Sequence, residues 1–531
     1  MTDHRRSVIT IVIGFALLSP AAVLWLTGLV APSFTTMWLS LNHSMLGSGD
    51  AAPAGLDNYA AWIAQLSNVA FLCITIALSV AATVPGVLAG VAIGSLGRRA
   101  GRTVQKILAV VLGMLAVCWA PVGMTLSLWT VSADGVMTTE LEPELTILLS
   151  TTAIALPVAA GAVGVMTMML GPLREHRQRT TLVLTFGGAC AVVAAASQTF
   201  VVPILLSPVG PDARGRSPVL VAADGPIGTG NLGSAAAMMT TLGLLLGLLG
   251  LVAGIAGIRG GLRLDFRRTE TGTDRPHRAA AVTALAVAAA LVVIIVVVHR
   301  AWLQSFWHQE PGSLSEQIAV QTWLPSGQVV AIQVVVAALA GAGIGVCRPL
   351  GNASSWLLLP FLPWLFVGEG PMLAAHLTAT YDPELGPGDS PWYPPVWVNV
   401  ALIVLFTLLA GAVARGRAAE VGARDLALGT IGIAVAAATV LWIVVAQQLL
   451  WPLALWTPST GLDEAPGPLI PFVAANNHLV PRPPATVGTP VALVVAHLVL
   501  VALGTQLGVS RLVLTTRRRP VAGTSGGTVR A

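Results

Sequence analysis

One acid sits where an acid is expensive. In "FLPWLFVGEGPMLAAH", residues 361–376, Glu369 stands in an apolar run between Gly368 and Gly370, with Pro371 following. A carboxylate at the centre of a membrane helix costs roughly 3 kcal/mol or more, so it faces a cavity or a partner. Glycine and proline loosen the helix around it and free backbone carbonyls. The chemistry this allows is contact with a passing solute or ion, or a carboxyl that titrates. The plainer reading is an acid close to the membrane surface, reaching out to water.

The other chemistry-bearing residues are scattered. His376 and His497 each lie alone in apolar surroundings. Cys73, Cys118, Cys190 and Cys347 show no CxxC spacing and suit small core residues better than a metal site or a disulfide framework. There is no GxxxxGK[ST], and the sole lysine, Lys106, has no glycine-rich neighbour. HExxH is also missing. The sequence therefore predicts no cofactor, no metal and no catalysis by this chain. Any ATP hydrolysis belongs to a separate subunit.

The elements that hold these residues are membrane helices. Of 531 residues 55% are hydrophobic and 10% charged, and the mean hydropathy is +0.81. A soluble domain carries roughly 25% charged residues, so this chain is solvated largely by membrane lipid. The net charge of +5 gives no reason to invoke nucleic acid. The first apolar run follows His4, Arg5 and Arg6 but lacks a cleavage site, which predicts a retained helix.

A span needs about 20 apolar residues. That ruler gives twelve: 8–30, 69–93, 107–131, 145–170, 181–206, 235–258, 279–299, 327–346, 356–380, 395–414, 426–452 and 489–509. With both termini cytoplasmic, the outer segments hold only Arg214, Arg216, Arg300 and Arg482 of the 28 Lys and Arg residues. The positive-inside rule asks for this bias. The expected fold is all-α, a multi-pass protein of the cytoplasmic membrane. Outer loops run long, short, long in each set of six spans. That repetition predicts two parallel six-helix units, 1–258 and 279–510, joined by a basic cytoplasmic linker at 259–278 and closed by a tail at 511–531. In the first unit, Pro121 and Gly123 interrupt the third span as Gly368, Glu369, Gly370 and Pro371 interrupt the ninth. Matching interruptions point to a translocation pathway between the units.

A polar, aromatic stretch, "GLDNYAAWIAQ" at 55–65, separates the first two spans. Its rings at Tyr59 and Trp62 suit a membrane-interface anchor. The order Gly55, Asp57, Asn58, Tyr59 suggests more. Preceded by "LSPAAVLWLTGLVAPSFTTMWLSLN", it resembles the outer-face motif of carbohydrate-type, binding-protein-dependent ABC importer permeases. "QTFVVPILLSPVGPD" (198–212) and "GNLGSAAAMMTTLGLLLGLLGLV" (230–252) are similar to that family's fifth-helix exit and final helix. "LWPLALWTPST" (450–460) resembles the end of helix five in the companion subunit.

The resemblance implies two permease units fused in one chain, a cytoplasmic ATPase subunit and an extracytoplasmic solute-binding protein as partners, and a sugar or similar polar solute as cargo. It also implies a cytoplasmic loop carrying Glu-Ala-Ala, which docks on the ATPase. Here the sequence departs from the family. The first unit offers "GPLREHRQRT" (171–180). The second offers "RAAEVGARD" (417–425), with Arg417 in place of glutamate before Ala418 and Ala419, then Glu420, Gly422 and Ala423. Two other readings stay open. One is a transporter that works without an ATPase through Glu369. The other is a degenerate permease homologue acting as a structural or regulatory membrane partner.

Overall fold

Proline and glycine decide where the apolar runs stay helical. The computed structural model describes residues 2–45, 51–64, 66–117, 143–170, 231–267, 277–298, 313–380, 396–446 and 491–516. Helix α1 (Thr2–Trp25) passes through a π turn at Leu26–Val30 into α2 (Ala31–Ser40), making one apolar rod. The short α3 (Asp57–Ala64) precedes α4 (Leu66–Arg99), α5 (Arg102–Val117), α6 (Pro143–Met168), α7 (Leu232–Arg259) and α8 (Arg278–Val298). Helix α9 (Ser313–Ala342) ends in a second π turn, Gly343–Cys347. Then come α10 (Leu373–Thr380), α11 (Val400–Ala418), α12 (Ala423–Ala446) and α13 (Val491–Arg511).

Among the described residues, seven helices are long and apolar enough to cross a membrane, and the chain is a mostly helical multi-pass membrane protein. The twelve-span expectation is not met as a count. Helices α4 and α6 occupy the second and fourth expected spans, whereas 181–206 lies outside the described residues. The ninth, 356–380, is not a continuous helix. It breaks into 3-10 turns at Gly351–Leu358, Leu362–Trp364 and Gly370–Met372 before α10 begins. Pro360, Pro363 and Pro371 explain the break, since each removes an N–H and crowds the carbonyl four residues back.

Close packing uses small residues, as expected where lipid tails leave no hydrophobic drive between helices. Gly86, Gly90 and Gly94 place the backbone of α4 against α6, so that a β-carbon at Gly90 would lie 2.8 Å from the Ala160 carbonyl oxygen. Gly341 and Gly345 do the same for α9 against α11; a β-carbon at Gly345 would meet the Thr407 oxygen at 2.6 Å. Other pairings join the two ends of the chain: α1 with α9, α8 with α4, α5 with α13, and α7 with the broken segment.

Short strands were not expected, and two pairs of them occur among the described residues. β1 (Asn42–Ser44) pairs antiparallel with β2 (Ala51–Pro53), and β3 (Leu262–Phe266) with β4 (Leu512–Thr516), Leu264 opposite Leu514. The second ribbon joins the chain just after α7 to the chain just after α13. Its Leu264, Phe266, Leu512 and Leu514 enter one buried cluster with Leu108, Leu112, Met168 and Leu409.

Candidate functional site

The broken segment is held by its neighbours. A β-carbon at Gly250 of α7 would lie 2.6 Å from the Leu362 oxygen, and one at Gly247 3.3 Å from the Pro363 oxygen. On the other side Trp25 of α1 packs against Phe361 at a tilt of 54° and meets Trp364 edge-on, at 5.2 and 5.3 Å. The Trp364 indole donates to Ser33 Oγ of α2 at 3.0 Å. Irregular backbone at membrane depth survives only where protein buries it or it lines a cavity, and here helices flank it. Glu369 lies immediately before the third 3-10 turn, partly buried, its carbonyl accepting from the Met372 N–H at 3.0 Å. Gly368 is partly buried beside it, and Gly370 and Pro371 are buried. Pro371 packs on Gly243 of α7, where a β-carbon would come within 3.1 Å. The paired interruption at Pro121 and Gly123 lies outside the described residues.

Residues 55–64 fold as a latch. Gly55 takes a positive φ of 57°, a turn that suits glycine, and its N–H and that of Ala54 both donate to the Leu41 carbonyl. The turn delivers Asn58 into the interior. Its Nδ2 donates to the Ser40 and Asn42 carbonyls, each at 2.9 Å, the first an orphan acceptor in the last turn of α2 and the second at the start of β1. Tyr59 Oη lies 2.6 Å from Ser40 Oγ. Gly233, in the first turn of α7, packs directly onto the Asn42 carbonyl and Asn58. Trp62 is buried rather than lying at the surface, so the interface-anchor reading does not hold for it. Asp57 is exposed in the first turn of α3, where its charge suits the helix dipole.

The 417–425 stretch forms no helix of its own. Arg417 and Ala418 complete α11, and Ala423 opens α12. Between them Glu420 takes φ 57°, with Glu420 N bonding the Arg417 oxygen and Val421 N the Gly416 oxygen. These two bonds are a helix C-cap that turns the chain directly into α12. Arg417, Ala418, Ala419, Glu420, Gly422 and Ala423 are all exposed. The expected small-residue helical face is therefore split between two helix ends. The loop is too short for a separate turn of helix. The counterpart at 171–180 lies outside the described residues.

The linker and tail hold a polar lock that the sequence reading missed. Arg415 of α11 reaches Asp265 of β3 at 2.7 Å and the Leu264 carbonyl at 2.6 Å. Thr515 of β4 donates to the other oxygen of Asp265 at 2.6 Å. Arg267 reaches the Met168 carbonyl at the end of α6 at 3.2 Å and the Leu512 carbonyl at 3.3 Å. Burial, then the nearby Arg102, holds the Arg267 guanidinium pKa below the usual arginine value. The alternation in "LRLDF" and "LVLTT" was the available signal.

These groups brace helix ends and the broken segment against their neighbours. Among the described residues no cluster of His, Cys, Asp or Glu could hold a metal. Comparison with family models, with curated proteins and with solved structures finds no match.

Proposed function

We propose that this chain is the membrane-spanning part of an importer for a sugar or similar polar solute. In this reading the solute passes between two six-helix units, a separate cytoplasmic ATPase supplies the energy, and an extracytoplasmic binding protein delivers the cargo. The observation that carries it is reciprocal packing. Counted as spans, the first meets the eighth and the second meets the seventh. The third meets the twelfth and the sixth meets the ninth. Each contact has its counterpart six spans on, as two parallel repeats facing one another would give. The strands that follow spans six and twelve pair with each other in the same manner. Glu369, on the ninth span against the sixth, is then at the seam between the units.

The turn at Ala419–Gly422 favours a second reading, a permease-like chain that serves as a structural or regulatory partner. An exposed cap with no helix of its own is a small docking surface. Affinity purification of the full chain in mild detergent, with mass spectrometry of what accompanies it, separates the two. Recovery of an ATPase and a binding protein in near-stoichiometric amount supports the importer. Recovery of other membrane proteins without an ATPase supports the structural partner.

A further inference from the structure

Three helices converge on His497. It lies on α13, 2% exposed, and its Nε2 makes no hydrogen bond. The ring bonds the Leu493 backbone one turn earlier through its other nitrogen. Trp323 of α9 lies against one side, ring centroids 5.1 Å apart and planes tilted by 35°. Trp442 of α12 meets the ring edge to face at 4.9 Å. Ala319, Ile443, Ala446 and Val501 complete the surroundings. A buried acceptor without a partner is uncommon and calls for a reason. Phenylalanine would fill the same space with no nitrogen to satisfy. What an imidazole adds between two indoles is a cationic form, which the faces of tryptophan attract, most strongly away from water.

We infer that His497 is a proton-binding site, its Nε2 lone pair taking up one proton from water and the Trp323–Trp442 pair holding the resulting imidazolium. No described charged side chain packs against the ring. On α9 the one acid is Glu316, seven residues before Trp323. On α12 Arg424 and Asp425 lie about 26 Å of helix rise from Trp442, and on α13 Arg511 lies about 21 Å from His497. On α5, which packs on α13, Arg102 and Lys106 belong to the first turns, at the Arg511 end. The acceptors beside the ring are already used: the Trp442 indole donates to the Trp323 carbonyl at 2.9 Å and to Ser326 Oγ at 3.2 Å. A proton on Nε2 competes for them and so bears on how α9, α12 and α13 fit together. Helices α12 and α13 touch backbone to backbone at Gly432 and Gly504, so a shift at the ring carries along both.

The test is tryptophan emission of the full chain in lipid nanodiscs, titrated from pH 8 to pH 4, because an imidazolium quenches an adjacent indole more than a neutral imidazole does. Wild type is expected to show a reversible loss confined to the share of two of its 15 tryptophans. His497→Phe is expected to remove that step. The double variant Trp323→Phe, Trp442→Phe keeps the histidine, loses the reporters and is likewise expected to lose the step. Superimposable titrations of wild type and either folded variant would overturn the assignment.

Discussion

Two stretches raised the expectation of a permease, and the fold treats them in opposite ways. Residues 55–64 are consumed by the structure: Asn58 is buried on two carbonyls, Tyr59 reaches Ser40, and α7 leans on both through Gly233. Residues 417–423 form a mostly exposed cap, with Val421 alone turned against the core. A motif can thus persist for opposite reasons. The first is held by what it bonds within the chain. The second is held only by the backbone bonds of its own cap and by Val421 against the core.

The contrast sets an order of effects. Asn58→Leu should be the most damaging change, because it strands two buried carbonyls at about 1–3 kcal/mol each. Thermal unfolding in mild detergent measures it, and a loss below about 1 kcal/mol would break the latch account. Gly233→Ala should follow at about 1–3 kcal/mol, since its β-carbon displaces the same group. The two changes made together should cost less than their sum, because they damage one contact.

Smaller effects are expected further along. Tyr59→Phe should cost about 1 kcal/mol, the worth of one net hydrogen bond. Asp265→Asn should also cost about 1 kcal/mol, as the carboxylate and Arg415 are only partly shielded from solvent. At the other extreme, Gly422→Trp should move stability by less than about 0.5 kcal/mol, since a β-carbon there meets nothing within 4 Å. The same variant should abolish association with an ATPase if the turn is its docking point. Clear destabilisation by Gly422→Trp would mean that the turn is not free.

Much of the helical frame was legible, because hydrophobic length alone marks a span. The expected spans at 235–258, 279–299 and 489–509 coincide closely with α7, α8 and α13. The helix starts at Leu232 and Val400 also carried a local sign, in Asn231 and Asn399, whose side chains cap them at 3.2 and 3.0 Å. In the ninth span the interruption at Gly368–Pro371 was legible, but hydropathy counts Pro360 and Pro363 as mild residues, whereas backbone geometry makes each a further break. The ribbon was misjudged for the opposite reason. Arg263 and Asp265 made "LRLDF" look like solvated linker, although period-two alternation hides Leu264 and Phe266. Asn58 shows a further limit. Its acceptors, the carbonyls of Ser40 and Asn42, lie 18 and 16 residues back, and no local pattern announces them.

The importer proposal stands on the two units being interlocked, and one cross-link tests that directly. A β-carbon at Gly14 of α1 would lie 3.2 Å from Cβ of Cys347, at the end of α9, a little closer than the roughly 3.8 Å that a disulfide prefers. Gly14→Cys, with Cys73, Cys118 and Cys190 changed to serine, leaves one thiol in each unit. A protease site placed within 268–276 then allows the chain to be cut between them. After mild oxidation and cleavage, a non-reducing gel should show one full-length band that separates into two fragments on reduction. Two fragments without reductant, in protein that remains folded, would contradict the interlocked arrangement.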